Sequence, residues 1–352
     1  MDDVKEILNK LISLPGISGH ERIIAEAVRD AWRSYADEVK ISKIGNVYAR
    51  KKGCGTQNRK VLIAVHMDGI GMIVHQIRGQ FVSFAPIGGF DPRILPGQFV
   101  TVHTQEGDIP GLIAAPADTQ TKAHDPKKPV PMNELLIDTG LDAETVRSKI
   151  QVGDTISYAN LPAELPDECI AGHSLDNRAS VAALTVCLRE LQQIRHQWDV
   201  YAVGTVQEET SFLGGATAPY DIRPDVCIAV DVTFAKGPGS ADWRTVPLES
   251  GASLGFGMNI HPKLYEICKE ICEDRHFPYT SDMLPGMSGT DGDPMQVSSG
   301  GYPTMVISIP LRYMHTPVEI ISMKDVTTVG RLLAALIASM DDSFMDKLKW
   351  EE

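Results

Sequence analysis

The segment VLIAVHMD, residues 61–68, decides how the chain is read. Its first five residues are an uninterrupted apolar run of strand length, the pattern of a strand covered on both faces, which is typical of a parallel sheet flanked by helices. A histidine and an aspartate follow at once, so ionisable side chains leave the sheet at the C-terminal end of a buried strand. In open α/β sheets that edge is where ligands bind.

Upstream, Val4, Ile7, Leu8, Leu11 and Ile12 recur at helical spacing, and Ile24, Ala27, Val28, Ala31 and Trp32 do so again. Downstream the texture changes. Between residues 67 and 166 the runs FVSF, QFVTVHT, GLIAA and GDTISYA are short, alternating and broken by Gly, Pro and Asp, as in an all-β unit. Within them PADTQTKAHDPKKPVP (116–131) is a polar stretch beyond ordinary loop length. From residue 167 onward helical patterns (SLDNRASVAALTVCLREL, HPKLYEICKEICED, VTTVGRLLAALIASM) alternate with strand patterns (DVYAVGTV, DVCIAV, PTMVISI). Such alternation predicts a mainly parallel sheet covered by helices. The N-terminal part has one convincing buried strand and needs the C-terminal half to complete a sheet. The expected architecture is therefore α/β: residues 1–66 plus 167–352 form a catalytic domain with a mixed sheet sandwiched by helices, and residues 67–166 are inserted as a β-barrel.

Composition narrows the function. The 352 residues are 43% hydrophobic and 22% charged, a globular balance whose length suggests roughly two domains. Thirty-three basic against 46 acidic residues give a net charge of −13 with no basic stripe, which argues against nucleic acid and anionic lipid as partners. The apolar runs are too short to span a bilayer, and MDDVKEILNKL lacks the basic start and apolar centre of a secretory signal. The six cysteines include no C-x-x-C pair and read as reduced thiols, so the cytoplasm is the expected compartment.

Ionisable residues recur just beyond the ends of the expected strands: His66 and Asp68 after VLIAV, Glu208 and Glu209 after VYAVGTV, Asp231 at the end of CIAV, and His315 after VISIPLRYM. Asp176 opens a helix from which it could face the same edge. Each has an ordinary alternative. Asp176 suits an N-cap, the two glutamates a solvated strand end, Asp68 a turn before Gly69, and either histidine a hydrogen-bonded place beneath a loop. Asp231 is the exception, because an unpaired carboxylate ending an apolar strand is costly to bury. Together the carboxylates would repel one another and raise their own pKa values unless a cation neutralised them. Two histidines with Asp176, Glu209 and Asp231 make a nitrogen and oxygen set suited to zinc, cobalt or manganese. Five ligands exceed the need of one catalytic zinc. With one carboxylate bridging, they suit two ions roughly 3.5–4 Å apart, an arrangement that favours hydrolysis. The H-x-D spacing would let Asp68 accept from the distal nitrogen of His66. On an extended segment Glu208 and Glu209 would point different ways, one to the metal and one to the proton of the attacking water.

The blocks AVHMDGIGMIV, SLDNRASVAAL, GTVQEET, AVDVTFA, MSGTDGD and GYPTMVISIPLRYMHTPVE resemble, in order and over most of the chain, those of the TET-type, glutamyl aminopeptidase-like dinuclear metallo-aminopeptidases. Some members of that family have been labelled endoglucanases. The resemblance implies that His66 and Asp231 bind one divalent ion, that Glu209 and His315 bind the other, and that Asp176 bridges. It also implies Glu208 as general base and Asp68 as the residue orienting the first histidine. It further implies a zinc-exopeptidase-like fold with an inserted dimerisation barrel, short peptides as substrates, and a homo-oligomer whose dimers assemble into a tetrahedral dodecamer. Two departures stand out: TSFLGGA after the glutamate pair is one residue longer than the family's usual V-G-L-R-G-A, and the 116–131 stretch differs from the usual insert. Asp291, between glycine-rich turns, stays outside the catalytic set. The alternatives are a metal-dependent amide deacylase or carboxypeptidase and, less favoured, a glycoside hydrolase. The last would need its two carboxylates facing each other at roughly 5–9.5 Å, which sequence neighbours rarely do.

Overall fold

A computed structural model describes residues 2–115 and 128–349, so most of the long polar stretch, residues 116–127, lies outside the described residues. Strand Lys60–His66 is buried from Val61 onward and lies at the heart of an 11-stranded mixed sheet. Asp199–Thr205 and Val226–Phe234 flank it in parallel, and Thr304–Arg312 runs parallel to the latter. This parallel centre carries the expected strands. The sheet is extended with antiparallel pairs at both margins, Glu38–Ile41 with Val47–Lys51 on one side and Glu319–Ser322 with Cys169–Gly172 on the other. The central register aligns the chemistry. Thr205 pairs with His66, and Ala229 with Ala64, so Asp231 two residues on is level with His66.

Helices cover the sheet as the apolar periodicity dictates. Asp2–Ile12 and Arg22–Trp32 bury Val4, Leu8, Leu11, Ile12, Ile24, Val28 and Trp32, while Ala27 and Ala31 stay partly exposed. Helix Leu175–Glu190 is buried along nearly its whole length and packs against Met323–Ser339. The two approach so closely at Gly330 that a Cβ there would stand 2.5 Å from the Ala183 carbonyl oxygen and the Val186 side chain. Arg178, one turn into its helix, is fully buried and donates from Nη1 to the carbonyls of Leu11 and Leu14 at 2.6 Å each, and from Nε to that of Met67 at 3.3 Å. One guanidinium thus satisfies helix-end carbonyls and ties the N-terminal helix to the chain leaving the central strand.

The texture change after residue 67 corresponds to a closed six-stranded antiparallel barrel, Gly71–Arg78, Phe81–Ile87, Leu136–Asp138, Gly107–Ala114, Phe99–Thr104 and Thr155–Tyr158 in spatial order. It has its own core of Met72, Val74, Val82, Val100, Val102, Ile113, Ile137 and Ile156. The chain rejoins the large sheet at strand Ala163–Leu165, which pairs with Cys169–Gly172.

Candidate metal centre

The expected residues converge. His66 ends its strand with 2% of its surface exposed, and its Nδ1 lies 3.1 Å from the carbonyl oxygen of Asp68. A carbonyl only accepts, so Nδ1 carries the proton and Nε2 is left to face the site. Asp176 does not cap its helix. The chain enters through Ser174 at φ 58°, and Asp176 (φ −79°, ψ 100°) and Asn177 (φ −125°, ψ 35°) depart from helical values. That turns the Asp176 carboxylate toward both histidines: Oδ1 is 3.2 Å from His66 Nε2 and Oδ2 is 3.4 Å from His315 Nε2. His66 Nε2 also lies 3.6 Å from Asp231 Oδ1 and 3.8 Å from Glu208 Oε2, while His315 Nε2 lies 3.2 Å from Glu209 Oε2. Left-handed backbone at Ser174, Gln207 and His315 (φ 58°, 56° and 62°) places these side chains. Such strain outside glycine gathers at functional sites.

Ligand atoms of His66, Glu208 and Asp231 lie within 4.8 Å of one another, and those of Asp176, Glu209 and His315 form a second such group. Glu209 Oε1 is buried with no hydrogen-bond partner. A buried carboxylate oxygen left unpaired, beside imidazole nitrogens and further carboxylates, is what a divalent cation of the zinc, cobalt or manganese class satisfies. The residues therefore fit the metal group their types suggest.

Electrostatics agree. Burial and the charge of Asp176 push Glu209 up to about 7, and burial, reinforced by Asp231, Asp291 and Glu209 against the opposing charge of His66, pushes Glu208 up to about 10. Burial raises Asp231 too. Burial alone would lower the two histidines, but the surrounding carboxylates outweigh it, holding His66 well above its ordinary value and His315 up to about 11. Asp176, hydrogen-bonded between them, is held down despite its burial.

Two expectations about local geometry need correction. The Asp68 carboxylate is not the main partner of His66: Oδ1 is 3.6 Å from Nδ1, farther than the Asp68 carbonyl. The carboxylate instead accepts the backbone N–H groups of Glu208 and Glu209. Nor are those glutamates on an extended segment. They open a single helical turn, Glu208–Ser211, because Gln207 in the left-handed region ends the strand, and their side chains diverge by helical rotation. Phe212, also left-handed, separates this turn from helix Leu213–Ile222, so TSFLGGA contains a break between two helices. Asp291, set aside as a turn residue, is buried, and its Oδ2 accepts from Thr205 Oγ1 at 2.5 Å. The sequence reading passed over Glu319, which is 2% exposed and accepts the backbone N–H groups of both Asp176 and His315. Its only signal was its place in HTPVE, four residues beyond His315.

Residues 45–332 match the M42 glutamyl aminopeptidase family. The chain belongs to that family. Across 340 residues it is 34% identical to the lysyl aminopeptidase of Pyrococcus furiosus, covering 95% of this chain and 97% of that one. The TET aminopeptidase of a marine sediment Thaumarchaeota archaeon superposes with a TM-score of 0.92 at 28% identity, over 99% of each chain. The TET1 peptidase of Pyrococcus horikoshii, which can assemble into a tetrahedron or a large octahedral shell, superposes with a TM-score of 0.83 at 26% identity, over 96% of this chain and 100% of that one. The M42 chain described here is accordingly an aminopeptidase, a hydrolase of peptide bonds, and its mixed α/β sheet and closed barrel belong to a fold that superposes on those solved structures.

Proposed function

We propose that this M42 aminopeptidase removes the N-terminal residue of short peptides at a centre holding two divalent ions, zinc or cobalt, with manganese a third candidate. In this reading His66 and Asp231 hold one ion, Glu209 and His315 the other, and Asp176 spans both. The observation carrying it is the division of the Asp176 carboxylate, one oxygen toward the Nε2 of each histidine. When bound, the ions supply Lewis-acid charge that acidifies water and polarises the scissile carbonyl. Glu208 is the general base: it takes the proton of the attacking water and returns it to the departing amine. Its burial keeps bulk water from competing for that proton, and cationic charge nearby would bring its raised pKa down to where it can accept. Asp68 fixes the backbone of the Glu208–Glu209 turn and, through its carbonyl, the orientation of the His66 ring.

The barrel, assigned to residues 67–166, is proposed to pair two copies, with dimers building a tetrahedral dodecamer. Phe99 and Leu112, cross-strand partners on its outside, are 65% and 36% exposed and supply apolar surface for that contact. A closed assembly would admit only short or unfolded peptides. The free cysteines suit a cytoplasmic setting, and no helix among the described residues is long and apolar enough to cross a membrane.

The test is metal content per chain measured alongside hydrolysis of aminoacyl anilides, with free and blocked amino termini, before and after chelation. About two ions per chain, activity lost on chelation and restored by cobalt or zinc, and a strict need for the free amine are expected. A fully active preparation without such ions overturns the metal reading. Equal turnover of blocked substrates favours the deacylase alternative.

A further inference from the structure

Glu319 heads strand Glu319–Ser322 and pairs with Gly172, so the large sheet fixes its backbone. Its carboxylate reaches two separate chain segments: Oε2 accepts the N–H of Asp176 at 3.2 Å and Oε1 that of His315 at 2.9 Å. Neither segment has regular geometry there. His315 sits at φ 62°, and Asp176 departs from helical values just after left-handed Ser174. Regular hydrogen bonding therefore cannot set the spacing of these two residues, and one carboxylate spans them. The arrangement mirrors Asp68, whose two oxygens take the N–H groups of Glu208 and Glu209. Burying a further carboxylate beside Asp176 and Glu209 is electrostatically costly. A glutamine could accept only one of the two amides and would turn its NH2 toward the other.

We propose that Glu319 is a positioning residue that holds Asp176 and His315 at the separation needed to bind a divalent ion together with Glu209, and so sets affinity and coordination at that half of the centre. The inference rests on the metal reading above. Both Glu319 oxygens accept backbone amides and Glu319 lies in neither group of candidate ligands, so it acts through Asp176 and His315. Removing an outer partner of this kind typically weakens metal binding by about 10–100-fold.

The experiment titrates cobalt into the metal-depleted 352-residue chain and into Glu319→Gln, reading the visible absorption of bound cobalt and the affinity of each binding phase. The parent is expected to bind in two phases. In Glu319→Gln one phase should weaken by about 10–100-fold with an altered absorption band, while the other moves less. Glu319→Asp, which keeps two acceptors on a shorter arm, should fall between. Parent-like affinities and spectrum in folded Glu319→Gln overturn the proposal. So does failure of both variants to fold, since Glu319 would then serve the fold itself. A parent that binds no cobalt instead defeats the metal reading on which the inference stands.

Discussion

Asp68 Oδ1 lies 3.1 Å from the backbone nitrogen of Glu208, and its Oδ2 lies 3.2 Å from that of Glu209, so one fully buried carboxylate holds the turn bearing both glutamates. Because Asp68 is two residues beyond His66, the same residue couples the histidine to the turn. Asp68→Asn keeps size but leaves an NH2 facing one of the two N–H groups, and the turn should shift. The expected outcome is a fall in kcat of about 10–100-fold with the chain still folded by circular dichroism. An unchanged kcat would mean that the turn is held by its own helical geometry.

Glu208 is 8% exposed and its carboxylate lies within 4.8 Å of the ligand atoms of His66 and Asp231, but the proposed ligand set does not include it. Glu208→Gln preserves shape and hydrogen-bonding length but cannot accept a proton. Turnover should drop by about 100–10,000-fold while metal content per chain stays at the parent level. Were turnover retained, the base would lie elsewhere; were metal lost along with turnover, Glu208 would be a ligand.

What was legible in the sequence follows from which contacts are local. VLIAVHMD announced a buried strand ending in an ionisable side chain, because burial on both faces leaves no polar residue until the strand ends, and Asp231 stood out for the same reason. The Gln207 turn was not legible: a left-handed non-glycine residue has no strong sequence mark, so the glutamates read as a continuation of their strand. The true partner of His66 was also hidden, since side-chain spacing points to the Asp68 carboxylate and cannot reveal that its carbonyl is nearer. Glu319 escaped because its role is to bind backbone amides of residues far away in the chain, a relation that periodicity and motif spacing do not encode.

In the metal-depleted chain the surrounding carboxylates hold His66 above its ordinary value, His315 is pushed up to about 11, and burial pushes Glu208 up to about 10. His315 is therefore protonated at pH 7.5, whereas a ligating imidazole must offer a free Nε2. Metal binding should release at least about one proton per chain, and apparent affinity should strengthen as pH rises from 6 to 9. Calorimetry in buffers of different ionisation enthalpy measures the release directly. Heats independent of buffer would show that His315 is already neutral.

Away from the metal centre, Asp325 is 1% exposed in the first turn of helix Met323–Ser339, where its oxygens accept the N–H groups of Glu249 at 2.8 Å and Gly251 at 2.7 Å. Burial nonetheless pushes it up to about 6 from an ordinary 3.8, since the two N–H bonds only partly offset the lost hydration. A carboxyl raised in the folded state binds its proton more tightly there than in the unfolded chain. Its contribution to stability is fully present below pH 3.8 and is lost as pH rises through about 6. Asp325→Asn has no proton to lose. Comparing urea unfolding of the metal-depleted parent and variant at pH 4 and pH 7.5, the parent should lose about 2–3 kcal/mol relative to the variant over that interval. A parent that gains on the variant as pH rises would mean that the two N–H groups stabilise the carboxylate more than burial disfavours it.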